Sequence, residues 1–142
     1  MASNSNPYRA YKNTKIKTSS QGQLIVMLYD EAIRQLDNAI DGMKGEHRTA
    51  DKVNGALIKA QELITELMAS LDFERGGEIA QSLFSLYMYF NQQLVDANIK
   101  KDGQALEEVK SMLTELRASW VQISGKTPPD SEPGKTGVNI AG

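Results

Sequence analysis

The stretch TSSQGQLIVMLYD, residues 18–30, is typical of the entrance to a buried helix. Ser20 offers a side-chain oxygen to the free backbone amides of a first helical turn, as N-cap residues do. Apolar residues then recur at helical spacing, which predicts a first helix over about Gln21–Met43. Its core face is predicted to carry Leu24, Leu28, Ala32, Leu36, Ala39 and Met43.

A second informative stretch, LDFERGGEIA at residues 71–80, separates two further helices. The apolar spacing predicts these helices over about Ala50–Ser70 and Glu78–Lys100, with a break at the two glycines between them. Glu78 puts negative charge on a first turn, where the helix dipole favours it. The predicted core faces are Val53, Leu57, Ala60, Ile64, Leu67 and Leu71 on the second helix, and Ile79, Leu83, Leu86, Tyr87, Phe90, Leu94 and Ala97 on the third.

A fourth helix is predicted from about Asp102 to Ile123, because its apolar residues step alternately by three and four: Leu106, Val109, Leu113, Leu116, Trp120 and Ile123. Four such helices with short connections favour an all-α fold, an antiparallel four-helix bundle. A three-helix domain with one detached helix is the alternative. We divide the chain into an N-terminal arm (1–17), the bundle (18–124) and a C-terminal tail (125–142), which we expect to be disordered because its Gly and Pro residues leave no periodic apolar face.

The amino-acid composition argues against several classes of function. The chain has no Cys, which excludes disulfides and thiolate chemistry and fits the cytoplasm. No apolar run approaches the roughly 18 residues of a membrane span, and we expect neither a signal peptide nor membrane insertion. Residues 1–29 hold four bases and no acid, whereas the remainder holds 12 bases and 18 acids. A basic arm on an acidic body can lie on its own domain or meet an acidic partner, and we do not expect nucleic acid binding.

Residues that could carry catalysis are scarce. His47 is the only histidine and falls in a predicted loop, which suits neither a carboxylate-bridged metal bundle nor a Ser-His-Asp arrangement. The stretch Gly134-Lys135-Thr136 lacks the earlier glycine that a phosphate-binding loop requires, because Pro129 stands there. The sequence therefore predicts no enzyme, no metal site and no cofactor. A metal bundle or enzyme remains as a hypothesis by analogy of fold alone.

The third helix is more apolar than one packing face requires. Phe84, Met88, Val95 and Ile99 form a second apolar stripe, with spacings of 4, 7 and 4, away from the predicted core face. Either this helix is central and touches two neighbours, or the stripe is an exposed groove for the amphipathic helix of a partner. In the second case Met88 would help the groove adapt to different side chains.

The arm carries amphipathic anchors at Tyr8, Tyr11 and Ile16. They can be fasteners that tie the arm to the bundle, or movable plugs that cover an apolar groove until a partner displaces them. We assign them, together with the stripe, to a candidate binding surface. The other reading of an extra apolar stripe is a structural protein that self-associates; a monomer is expected, and a dimer is possible.

Six short motifs follow one another in order along the chain: Asn6-Pro7-Tyr8-x-Ala10-Tyr11, Leu24-Ile25-x-Met27-Leu28-Tyr29-Asp30-x-Ala32-Ile33, Phe73-Glu74-Arg75-Gly76-Gly77-Glu78-Ile79-Ala80, Leu86-Tyr87-x-Tyr89, Leu94-x-x-Ala97-Asn98 and Glu115-Leu116-Arg117-x-x-Trp120. With these motifs the chain resembles the FliS family of flagellin export chaperones over about residues 6–123. It departs from the family pattern at two positions, since Gln21 replaces a frequent proline and Glu31 a frequent glycine, and neither change threatens the fold.

This resemblance implies a function as well as a fold. It implies a cytoplasmic antiparallel four-helix bundle that binds the disordered C-terminal segment of flagellin and prevents premature polymerisation. It also implies delivery of flagellin to the cytoplasmic domain of the flagellar export gate, a type III secretion component. Tyr8 and Tyr11 lie in the arm that the family associates with client exchange and gate docking.

Overall fold

The computed structural model describes residues 21–44 and 50–126, and these residues form four helices. The helices are α1 (Gln21–Met43), α2 (Ala50–Ala69), α3 (Phe73–Lys100) and α4 (Gly103–Lys126). The predicted bounds of α1 are confirmed, and α2 ends one residue early. α4 begins one residue later than predicted and continues three residues beyond Ile123. The arm, residues 45–49 and residues 127–142 lie outside the described residues.

The helices pack as an antiparallel bundle in which each lies beside two others: α1 beside α2 and α4, and α3 beside the same two. Pairs of contacts give the directions. Lys110 and Arg117 of α4 pair with Asp37 and Asp30 of α1, so the two helices run in opposite senses. Across α2 and α3, Asn54 pairs with Asn98 and Thr65 with Asn91 in the same antiparallel order. The predicted bundle is therefore confirmed, and the detached fourth helix is wrong.

The core is built from the predicted apolar faces. Leu28, Leu36, Leu57, Ile64 and Leu94 are almost fully buried, as are the aromatic rings of Tyr29, Tyr87 and Phe90. The predicted faces fail at one end of the bundle, where Ile79 is 71% exposed and Ile123 is 54% exposed. Both residues have the core-facing phase of their helices, and both stand near the end of the bundle at which α3 begins and α4 ends. Ala80 is buried instead, one residue after Ile79.

The prediction that Gly76 and Gly77 separate α2 from α3 is wrong, and the entrance to α3 shows why. Asp72 caps the first turn, since its Oδ1 accepts a hydrogen bond of 3.1 Å from the Arg75 backbone amide. At Gly77 the backbone leaves helical geometry, with φ 52° and ψ −123°. This conformation is open essentially only to glycine. The helix therefore begins at Phe73 and continues across a kink, instead of starting at Glu78.

The turn from α3 to α4 is tight and well capped. Lys101 adopts left-handed geometry (φ 55°, ψ 46°), and its backbone amide donates to the Ala97 carbonyl. Asp102 follows, and its Oδ1 accepts hydrogen bonds from the amides of Gln104 and Ala105. The two caps end one helix and start the next within two residues, which holds α3 and α4 antiparallel.

Candidate client-binding surface

An exposed apolar strip runs along α3, and we call its four residues, Phe84, Met88, Val95 and Ile99, the α3 strip. At 100° per residue the four side chains fall within about 60° of one another, so they share one face. Met88 is 52% exposed, Val95 39% and Ile99 75%, while Phe84 is half-buried. Met88, Val95 and Ile99 are therefore surface residues and do not form a second core face. Whether the strip binds a partner stays a prediction.

Neighbouring residues widen the strip. Ile58 of α2 is 54% exposed and lies one turn after Asn54, whose partner is Asn98. Because α2 and α3 are antiparallel, Ile58 lies level with Val95. At the other end the ring of Phe73 meets that of Phe84 edge-on, with centroids 5.9 Å apart. The apolar surface thus includes Ile58 of α2 and extends along α3 from Phe73 in its first turn to Ile99 near its end.

Sequence reasoning missed Ile58, although a signal was present. Ile58 stands beside the core residue Leu57 and is off the core face of α2 by about 100°. An isoleucine at such a position has no packing role inside the bundle. Phe73 was part of a quoted motif, but its contact with Phe84 depends on the kink at Gly77, which spacing alone does not reveal.

The outer face of α3 is almost free of charge. Asp96 is the only charged residue between Glu78 and Lys100. The exposed polar positions are Gln81, Ser82, Ser85 and Gln92. Depletion of charged residues together with exposed Met and aromatic side chains is what distinguishes the centre of a protein interface from ordinary surface.

Two amide side chains lie along the seam between α2 and α3. Asn98 donates to Asn54 Oδ1 at 2.5 Å and accepts from Lys101 Nζ at 2.8 Å. Asn91 donates to Thr65 Oγ1 at 3.3 Å, but its own Oδ1 is buried and has no hydrogen-bond partner within the described part of the chain. These two amides therefore link α2 and α3 at the exposed edge of the seam.

The binding residues predicted in the arm cannot be placed, because Tyr8, Tyr11 and Ile16 lie outside the described residues. Of the predicted binding residues, the four of the α3 strip are placed, and they lie together. Gln21, the first residue that the structure describes, lies at the same end of the bundle as Phe73, since α1 and α3 both begin there.

A cleft elsewhere contains none of the predicted site residues. It has a volume of about 530 Å³ and lies at the opposite end of the bundle, lined by Ile40, Met43, Val53, Gln104, Glu107 and their neighbours. Across residues 21–44 and 50–126, no helix is long and apolar enough to cross a membrane. Those same residues contain no group of three or more acidic, His or Cys side chains that could hold a metal ion.

Comparisons with known proteins agree on one family. The model of the family described as flagellar protein FliS matches residues 4–127. The flagellar secretion chaperone FliS of Bacillus subtilis is 36% identical over 117 residues, which cover 82% of this chain and 85% of the relative. The protein of the same name from Salmonella typhimurium is 40% identical over 112 residues, or 78% of this chain and 82% of the relative.

Proposed function

Because this chain belongs to the FliS family of flagellar proteins, we propose that it is a cytoplasmic chaperone for flagellin export. In this proposal it binds the disordered C-terminal segment of flagellin, prevents premature polymerisation and delivers flagellin to the cytoplasmic domain of the export gate. One observation supports a binding role above all: an exposed apolar strip on an almost uncharged face of α3.

The dimensions of the surface suit a helical segment. Phe84 and Ile99 are 15 residues apart, which at 1.5 Å per residue is about 22 Å, or four helical turns. An amphipathic helix of this length places its apolar side chains every three or four residues along one face. The chain thus offers a complementary face for a segment that is unstructured when free.

Energetics favour a binder that also releases its client. Folding a disordered segment on binding costs about 2–5 kcal/mol or more. Burying a large apolar side chain contributes about 1.5–3 kcal/mol, and less where the side chain is already half-buried. Met88, Val95, Ile99 and Ile58 together can offset the ordering cost and leave a modest net affinity. Micromolar binding, about −8 kcal/mol, suits a chaperone that must hand its client on.

We assign the arm a regulatory part in the same function. Tyr8, Tyr11 and Ile16 act as plugs that cover apolar surface until flagellin displaces them, and they take part in docking at the export gate. A plug lowers the apparent affinity for the client in proportion to the time it is seated. Gln21, the first described residue, and Phe73 lie at the same end of the bundle, which supports a role for the arm at that end of the surface.

The direct test is titration of the full chain with a peptide from the flagellin C-terminus. Calorimetry should give a saturable heat at micromolar concentration, and circular dichroism should show a gain of helix beyond the sum of the two components. The absence of both heat and helix gain, at concentrations far above micromolar, would refute flagellin binding.

A second candidate is a structural protein that self-associates through its apolar surface. The exposed Ile79 and Ile123 favour it, because they add apolar side chains at one end of the bundle, away from the α3 strip. Sedimentation without flagellin separates the two functions. A sedimentation coefficient that is independent of concentration and fits a monomer would exclude self-association.

A further inference from the structure

Asn91 interrupts the apolar strip at its centre. The step from Met88 to Val95 is seven residues, and Asn91 and Gln92 stand in the gap. Asn91 is on the side that faces α2, where it contacts Thr65, whereas Gln92 is exposed and donates to Asp96. In an uninterrupted strip an apolar residue would stand in this gap. A polar residue at a single such position in a helical seam fixes the register and the choice of partner at a cost in stability.

The amide of Asn91 is incompletely satisfied. Its Nδ2 donates to Thr65 Oγ1 at 3.3 Å, and its buried Oδ1 has no partner among the described residues. Almost every buried polar group in a folded protein has a hydrogen-bond partner, so an exception calls for an explanation. Asn98, seven residues later on the same side, provides the contrast, because both ends of its amide are paired.

On the basis of the proposed function, we infer that Asn91 determines which segment of flagellin binds along the α3 strip. Asn91 pairs with an amide side chain, Asn or Gln, of the bound flagellin helix. The torsion that turns an Asn amide is soft, and the bond that holds it to Thr65 is long. The amide can therefore turn toward the strip when a partner arrives.

An amide fits this position better than other polar side chains. It offers a donor to Asn91 Oδ1 and an acceptor to Nδ2, so that both ends of Asn91 are satisfied together. A charged side chain would have to be buried beside Met88 and Val95. The one charge between Glu78 and Lys100, Asp96, already accepts a hydrogen bond from Gln92. The client segment is thus expected to carry apolar residues at helical spacing with one Asn or Gln among them.

The pairing also sets the register. A helix that slid by one turn along the strip would place an apolar side chain against Asn91 and leave the amide unsatisfied, which is the penalty that rejects a wrong register. The α3 strip would supply affinity, and Asn91 would select one segment of flagellin among its amphipathic stretches.

The test combines variants of both chains. A flagellin C-terminal peptide and a set of peptides in which each Asn or Gln is singly changed to Leu are titrated against the full chain, Asn91→Leu and Asn91→Ala. One peptide change should weaken binding to the unmodified chain about tenfold, and the same change should leave binding to Asn91→Leu equal or tighter. Asn98→Leu is the matched control and should respond to every peptide as the unmodified chain does.

The outcomes separate the two claims. If no peptide binds the unmodified chain, the proposed function fails and this inference with it. If the parent peptide binds but every changed peptide loses the same factor against all three chains, flagellin binding stands and the role of Asn91 is refuted. Asn91→Ala adds no bulk, so agreement between it and Asn91→Leu shows that the response comes from the lost amide.

Discussion

The hydroxyl oxygens of Tyr29 on α1 and Tyr87 on α3 lie 2.5 Å apart in the centre of the bundle. The two helices are diagonal to each other, so this hydrogen bond spans the core. Tyr29 is 0% exposed and Tyr87 1%. Each hydroxyl therefore gives the other a hydrogen bond where water does not reach.

This hydrogen bond predicts that each hydroxyl contributes to the stability of the core. Tyr29→Phe leaves the buried Tyr87 hydroxyl without this partner, and Tyr87→Phe does the same to the Tyr29 hydroxyl, so each change should lower the free energy of unfolding by about 1–3 kcal/mol. Tyr29→Phe/Tyr87→Phe removes both hydroxyls and should cost less than the sum of the two single changes. Urea denaturation followed by circular dichroism measures all three variants. Strictly additive losses would show that the two hydroxyls do not interact.

The same pair predicts instability in strong alkali. Burial raises the pKa of Tyr29, and burial together with the neighbouring Tyr29 raises the pKa of Tyr87 well above its ordinary value. The folded state thus keeps protons that the unfolded state loses, so stability is complete below about pH 10 and falls as the pH rises beyond it. Melting temperatures at pH 8 to 11 should drop more steeply for the unmodified chain than for Tyr29→Phe/Tyr87→Phe. Parallel slopes for both chains would contradict this assignment.

The apolar spacing predicted most of the fold because the core faces of all four helices are periodic. The predicted core residues between Leu24 and Ala39 on α1, and between Val53 and Leu67 on α2, are buried as expected. Two predicted core residues, Ile79 and Ile123, are exposed at one end of the bundle. Periodicity gives the direction of a side chain, but it does not show whether a neighbouring helix extends far enough to cover it. The kink was missed for a different reason, since a Gly-Gly pair signals a break without giving the angle at which the chain resumes.

The α3 strip was predicted from its phase on the helix, but its surroundings were not. Spacing within α3 cannot show that Ile58 of α2 stands level with Val95, since that depends on the register of two helices. Nor can it show that the amide of Asn91 is half satisfied while that of Asn98 is complete. These properties arise from packing between elements distant in sequence.

Substitutions in the strip test its role directly. Met88→Asp and Val95→Asp place a charge on an exposed apolar face, so the helical content should be unchanged while affinity for the flagellin peptide falls about tenfold or more. Ser82→Asp is the matched control, because Ser82 is exposed on the same helix but away from the strip, and it should bind normally. If either strip variant unfolds, its side chain belongs to the core.

Deletion of residues 1–17 tests the arm. The core cluster is formed by residues of the four helices, which begin at Gln21, so the truncated chain should stay helical and melt cooperatively. If the arm is a plug, truncation should tighten peptide binding, since the surface is then always open. Calorimetry of both chains measures the change. Loss of cooperative melting would instead show that the arm is structural.

Two glycines predict opposite results for the same chemical change. At Gly77 (φ 52°) an added methyl group meets nothing within 4 Å, so Gly77→Ala is opposed by backbone strain alone, and should lower the free energy of unfolding by about 1–3 kcal/mol. At Gly55, inside α2, the added methyl also meets nothing, and the backbone is already helical. Gly55→Ala should therefore stabilise the protein by about 0.5–1 kcal/mol. Urea denaturation of the two variants measures both changes in the free energy of unfolding. If Gly77→Ala stabilised the protein as Gly55→Ala does, residues other than glycine would be able to adopt the kink.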